Sequence, residues 1–184
     1  MNVRTIGTNV YFYSDVSPDS VLKLIVHVGK LERRLLKKAI DLPGYVPEIQ
    51  VFIRSDGGDV HAGLSAMDHL INSRVKITTV ADGICASAAT FILLGGKVRK
   101  IQAHAYVLIH QISVDGFWGN FEALQDEVSH CSQIMDMLKT VYKESTGIPV
   151  KTISTLMKKD VYFSAKDCLM YKVVDEIISC RGTA

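Results

Sequence analysis

The chain has 184 residues, 48% hydrophobic and 22% charged, which is the size and composition of one globular domain and not of a disordered tail; residues 1–184 are read as a single domain. A net charge of +2, from 21 basic and 19 acidic side chains, supplies no broad field for nucleic acid or an anionic membrane, so neither is expected as a partner. Apolar stretches are interrupted well before the roughly 20 residues that span a bilayer, and Met1–Gly7 lacks an apolar signal core, which points to the cytoplasm.

Val10–Tyr13 reads as a first strand, with only a short lead-in before it, and Ser17-Pro18 as the start of a helix, the serine capping and the proline in the first turn. Val21–Val28 is apolar enough for strand or helix. Leu31, Leu35, Leu36 and Ile40, with Lys30, Arg33, Arg34, Lys37 and Lys38 between them, favour an amphipathic helix with a solvated basic face. Pro43, Gly44 and Pro47 break the chain before a strand at Ile49–Ile53. Arg54-Ser-Asp-Gly-Gly-Asp59 then leads into a helix over about 60–72, a strand–glycine turn–helix arrangement able to aim backbone N–H groups at an anion. By itself that is as well explained by a tight turn, and no nucleotide-binding glycine motif is present.

Val75–Val80 predicts a buried strand, and Gly83 to Gly96 opens an apolar run of helical length with Ser87 at the bend. A serine held where a strand turns into a helix is displayed at the rim of the sheet, beside backbone N–H groups. The competing explanation is a cluster of small residues that lets a helix pack closely. Tyr106–His110 reads as a strand ending in a histidine. Successive strand–helix units argue for an α/β fold with mainly parallel strands, whose reactive groups collect at the carboxyl ends, which would bring Gly57-Gly58, Ser87 and His110 to one rim. A long helix follows from Phe121 to about Glu144, apolar on one side, and Thr146-Gly-Ile-Pro149 ends it. A short helix at 151–157, a last helix opened by Ser164 and Asp167 with capping-box spacing, and a strand at Val173–Ile178 complete the chain. Cys85, Cys131, Cys168 and Cys180 lack metal-type spacing and read as free, mostly buried thiols; no metal or cofactor is indicated.

From Val10 to Ile178 the chain resembles the proteolytic subunit of the Clp protease, serine peptidases of the ClpP/crotonase-like fold. Four blocks carry the likeness in the family's order: Ser55-Asp-Gly-Gly-Asp-Val-His-Ala-Gly63, Gly83-Ile-Cys-Ala-Ser-Ala-Ala89, Leu108-Ile-His-Gln111 and Asp160-Val-Tyr-Phe-Ser-Ala165. The resemblance implies an α/β fold with a protruding handle helix, here Phe121–Glu144. It implies Ser87 as nucleophile, His110 as general base, Asp160 as the orienting carboxylate, and the backbone N–H groups of Gly58 and Ala88 as the oxyanion hole. By composition alone Asp59, Asp115 and Asp175 compete for the carboxylate role. The partners implied are extended polypeptide substrates, copies of the same chain in a heptameric ring or two stacked rings, and an ATP-driven unfoldase. The short stretch before the first strand predicts that the family's axial loops and first helix are missing, which argues against the usual coupling to an unfoldase. Asp56 and Ile112 stand where the family usually has proline, and Ala88-Ala89 where it has Met-Gly, positions that bear on side-chain specificity and on the shape of the oxyanion hole. The alternatives are a catalytically inactive subunit of the same fold, a crotonase-like enzyme acting on acyl-CoA, and a Ser–Lys dyad using Lys97 or Lys100.

Overall fold

A computed structural model describes residues 2–114, 116 and 118–179; Asp115 and Cys180 lie outside them. In chain order the elements are β1 (Asn2–Ile6), β2 (Asn9–Tyr13), α1 (Pro18–Asp41), β3 (Glu48–Ser55), α2 (Val60–Ile71), β4 (Lys76–Ala86), α3 (Ala89–Leu94), β5 (Val98–Gln102) and β6 (Tyr106–Leu108). They continue as α4 (Phe121–Thr146), α5 (Val150–Leu156), β7 (Tyr162–Ser164), α6 (Ala165–Met170) and β8 (Glu176–Ile178). Two units emerge, one of Met1–Leu108 with Tyr162–Ala184, the other Ile109–Val161.

Among the described residues the strands all lie in the first unit, six of them in the order β1-β2-β3-β4-β5-β8, with β6 and β7 off this path. β2, β3, β4, β5 and β8 run parallel, as the strand–helix alternation predicts, and β1 is antiparallel to β2. Toward its end β4 exchanges one neighbour: Thr78–Ala81 lie beside β5 and Ile84–Ala86 beside β6, which carries β7 antiparallel, while β3 runs along the other side from Lys76 to Ala81 and, past a bulge, pairs Ser55 with Cys85. In β3 the alternation is plain, Ile49, Val51 and Ile53 being fully buried while Gln50, Phe52 and Arg54 face out. The doubtful segment 21–28 is helix, part of one continuous α1. Ser17 and Ser20 form a reciprocal capping box, Pro18 sits in the first turn, and Val21, Leu24, Val28, Leu31 and Leu35 make the buried stripe. Its basic face is exposed, Arg34 donating to the Gly7 carbonyl at 2.6 Å and Lys38 standing over the Tyr45 ring.

Several sequence expectations are corrected. The lead-in before β2 is itself a strand, because the two-residue loop Gly7-Thr8, with Gly7 at φ 63°, lets Asn2–Ile6 fold back on β2. β4 runs on through Gly83 to Ala86, so the helix after Ser87 is only α3; Gly83 at φ 93° lets the strand turn toward β6 without losing its ladder. The strand ending in His110 stops at Leu108, and the last strand is confined to Glu176–Ile178, Val173 and Val174 being buried loop residues. β5 and β7 are too short and too polar in pattern to stand out in sequence; only Ile101 in β5 and Phe163 in β7 are buried.

In the second unit α4 packs on α5, with Leu138, Tyr142, Ile148, Ile153 and Met157 buried. Asn120 caps α4, and Gly147 ends it in the left-handed conformation at φ 76°. Phe121, Leu124 and Val128 on α4 are exposed or nearly so. An open, mainly apolar groove runs along the helix past Val114, Leu124, Val128, Cys131 and Met135. No helix among the described residues is long and apolar enough to cross a membrane.

Candidate active site

Ser87 occupies the bend between β4 and α3 and is half-buried, with φ 55°. Positive φ disfavours a residue with a Cβ, so its retention at a serine marks a position where the surroundings impose the conformation. Those surroundings are visible. The Ser87 N–H donates to the Leu108 carbonyl at 2.9 Å, and its carbonyl accepts from the Thr90 N–H at 3.0 Å and the Thr90 hydroxyl at 2.6 Å. The backbone is thus held on both sides of the side chain, as in the strained serine turns that display a nucleophile at a sheet edge. Cys85, two residues earlier, is no competitor: it is fully buried, and burial, with Cys168 nearby, pushes its thiol far above the ordinary cysteine range.

The Gly57-Gly58 turn lies against this bend. A Cβ on Gly57 would stand 2.5 Å from the Ser87 Cβ and 3.1 Å from its Oγ, so only glycine lets the turn approach the serine so closely. The Ser55 hydroxyl accepts the Gly57 N–H at 3.1 Å. Gly58 forms a parallel bridge with Val16: the Val16 N–H donates to the Gly57 carbonyl at 2.7 Å and the Asp59 N–H to the Val16 carbonyl at 2.8 Å. The Gly57 carbonyl and the Gly58 N–H share one planar trans peptide, so the Gly58 N–H is turned away from Val16. Beside the turn opens a polar cleft of about 740 Å³ lined by Tyr13, Ser14, Asp15, Arg54, Ser55, Asp56 and Ile84. At its edge Tyr13 donates a short hydrogen bond to Asp82; burial and that carboxylate raise the phenol above its ordinary pKa.

In the second unit, His110 Nδ1 stands 3.6 Å from Asp160 Oδ1, with the histidine mostly buried and the aspartate 78% exposed. That is ion-pair distance and not a hydrogen bond. It directs Nδ1 to the carboxylate side and leaves Nε2 as the other face of the ring. The chain is held here by the Gln111 N–H donating to the Met157 carbonyl at 2.9 Å, which ties the segment after His110 to the turn before Asp160. Two of the three carboxylates that compete in sequence are engaged elsewhere, the third, Asp115, lying outside the described residues. Asp59 Oδ1 accepts the Ala62 N–H at 2.6 Å as the α2 cap, and Asp175 accepts from the Arg99 backbone and guanidinium. Lys100 is paired with Glu176 at 2.7 Å, and Lys97 is an exposed residue leading into β5.

Each unit therefore brings together part of the predicted set: Ser87, Ala88 and the Gly57-Gly58 turn in one, His110 and Asp160 in the other. Thr90, which the sequence offers only as a hydroxyl inside an apolar run, emerges as the residue gripping the Ser87 carbonyl. Cys131 is half-buried on α4, while Cys168 is buried and its thiol pushed up to about 12 by desolvation.

A displayed serine on a mainly parallel α/β sheet, flanked by a glycine turn, is the arrangement of a known class, and the sequence agrees. The Clp protease family pattern matches residues 41–181, and the chain belongs to that family. The ATP-dependent Clp protease proteolytic subunit of Epifagus virginiana is 36% identical over 130 residues, covering 70% of this chain and 66% of that protein. The chain's match thus spans just under two thirds of that relative's length. The proteolytic subunit of Pleurastrum terricola is 30% identical over 161 residues, covering 83% of this chain and 82% of its own. Among solved structures, a ClpP1 variant from Listeria monocytogenes shares the fold with a TM-score of 0.74 at 22% identity, over 95% of this chain and 92% of that one.

Proposed function

We propose that the chain is a serine endopeptidase in which Ser87, His110 and Asp160 act together, with Gly58 and Ala88 N–H groups as oxyanion donors, and that both units work as one peptidase domain. The observation that carries this reading is Ser87 held at φ 55° in the strand–helix bend, with Gly57 too close to tolerate a Cβ. A serine hydroxyl is a poor nucleophile until a base takes its proton. His110 presents Nδ1 to Asp160, which leaves Nε2 to accept that proton; a working triad requires Ser87 Oγ and Nε2 within hydrogen-bond reach.

In the reaction, Oγ attacks the scissile carbonyl while its proton passes to Nε2. The carbonyl π pair moves onto oxygen, where two N–H groups hold it. Collapse expels the amine, which takes the proton from Nε2, and leaves an ester on Ser87. Water, deprotonated in turn by His110, hydrolyses the ester and returns the serine. Loss of one oxyanion donor typically costs about 3–4 kcal/mol of barrier. An extended polypeptide would add as a strand beside the Gly57-Gly58 turn and be recognised mainly through its backbone. The exposed apolar stripe of α4, with Phe121 68% and Val128 59% exposed, suits contact between copies of the chain in an oligomeric chamber.

The test is labelling of the assembled protein with a fluorophosphonate, read by peptide mass spectrometry beside Ser87→Ala and His110→Ala variants. Labelling at Ser87 that His110→Ala abolishes is expected. An unlabelled Ser87 in the correctly assembled protein would refute the proposal in favour of a non-catalytic subunit.

A further inference from the structure

We infer that Thr90 is a positioning residue for the oxyanion donor: its hydroxyl, by gripping the Ser87 carbonyl, fixes the direction in which the Ala88 N–H points. The inference rests on the serine-peptidase reading above and deepens it.

The Ser87 carbonyl and the Ala88 N–H belong to a single peptide unit, and no cis peptide occurs among the described residues. In a planar trans peptide the two groups point in opposite directions, so whatever holds the carbonyl aims the N–H. Two donors from one residue hold it, the Thr90 N–H at 3.0 Å and the Thr90 Oγ1 at 2.6 Å. Thr90 is fully buried, and so is Ala88 to within 1%. The other donor peptide is held by the same device, since the Val16 N–H grips the Gly57 carbonyl and thereby turns the Gly58 N–H away from Val16. A threonine hydroxyl bonding back three residues is common inside helices. Here the accepting carbonyl belongs to a residue at positive φ, outside α3, whose orientation the helix ladder alone secures with one bond. The hydroxyl supplies a second.

Two comparisons isolate the hydroxyl. Thr90→Val keeps the shape of the side chain and removes the O–H; Thr90→Ser and Thr90→Ala both lose the methyl and differ from each other only by the O–H. The assembled proteins would be assayed for fluorophosphonate labelling at Ser87 and for kcat and KM on a peptidyl-aminomethylcoumarin, with thermal unfolding alongside. Removing an oxyanion donor outright costs about 10²–10³ in kcat; loosening one is expected to cost about tenfold. Thr90→Val should therefore fall about tenfold in kcat and labelling rate with KM within about twofold, Thr90→Ser should stay near the parent, and Thr90→Ala should fall below Thr90→Ser. Thr90→Ser loses packing yet keeps rate, a pattern that a merely structural role would reverse. Should Thr90→Val not fold, the Ser/Ala pair carries the same comparison. Equal rates within the Thr/Val pair or the Ser/Ala pair, or rates that follow unfolding temperature irrespective of the hydroxyl, would overturn the inference while leaving a labelled Ser87 intact. A parent chain unlabelled at Ser87 would instead sink the peptidase reading and this one with it.

Discussion

Gly57→Ala is the perturbation whose cost follows most directly from the geometry. The new methyl would lie 2.5 Å from the Ser87 Cβ, 2.9 Å from the Ala86 carbonyl oxygen and 3.1 Å from Ser87 Oγ, on a backbone at φ 106°. Forcing an L-residue into such a region costs about 1–3 kcal/mol, and overfilling a packed site about 1–3 kcal/mol more, so a loss of about 2–6 kcal/mol is expected. A domain of this size has about 5–15 kcal/mol in hand, and the variant should still fold at low temperature. Of the three atoms crowded, two belong to the Ser87 side chain, so the serine must move, and a misplacement near 1 Å costs about 100-fold in rate. Gly7→Ala is the control: its φ is 63° and nothing lies within 4 Å, so it bears conformational strain of about 1–2 kcal/mol without a clash. Urea unfolding gives the stability change and fluorophosphonate labelling at 10 °C gives the reactivity. If Gly57→Ala labels at the parent rate, or loses no more stability than Gly7→Ala, the close packing of the turn against Ser87 is wrong.

Gly29 lies inside α1 with open space around its Cβ position and no positive φ, so Gly29→Ala should stabilise by about 0.8–1 kcal/mol in urea unfolding; destabilisation would refute the assignment of an unobstructed helical site. Glu48 accepts a hydrogen bond from Thr78 Oγ1 at 2.6 Å and pairs with Lys76 at 3.0 Å, which holds its carboxyl below the ordinary glutamate range. Its stabilising contribution is complete above the unfolded value of about 4.3 and is lost as pH falls through the lower folded value. Glu48→Gln should therefore flatten that part of the acid limb of a stability–pH curve, and an unchanged limb would remove Glu48 from the account. With iodoacetamide under native conditions, Cys131 should alkylate slowly while Cys85 and Cys168 stay protected until unfolding, as peptide mass spectrometry can check.

What could be read from the sequence follows the physics of each signal. α2 and α4 repeat apolar residues over three turns or more, so their extents are legible to within a few residues, whereas in α1 the capping Ser17 and the stripe from Leu31 are legible but Val21–Val28 fits strand and helix alike. The parallel strands β3 and β4 show β-branched runs. β1, β5 and β7 bury too little to pattern, and their existence depends on a neighbour that the local sequence does not name. Ser87 was legible as a bend, but the strand running up to Ala86 was not, because Gly83 and the small residues after it fit a helix as well as a ladder. Asp160 was separable from Asp59 and Asp175 only by the block around it; the structure adds that those two carboxylates are occupied elsewhere. Thr90 gave no signal at all, since its role lies in a carbonyl three residues back.

The change of neighbour along β4 has a dynamic consequence. Its first half is clamped between β3 and β5 by regular ladders, whereas Ile84–Ala86, leading directly into Ser87, keep only the Ser55–Cys85 pairing with β3 and otherwise depend on β6 and β7, each only three residues long. Local opening free energies fall where a ladder is short and its pairing interrupted. Backbone amides of Ile84–Ala86 should therefore exchange with deuterated solvent well before those of Ile77–Ala81 in the same strand. One continuous strand thus carries a regular, doubly paired ladder at its start and a short, irregular one at its end, where the serine lies.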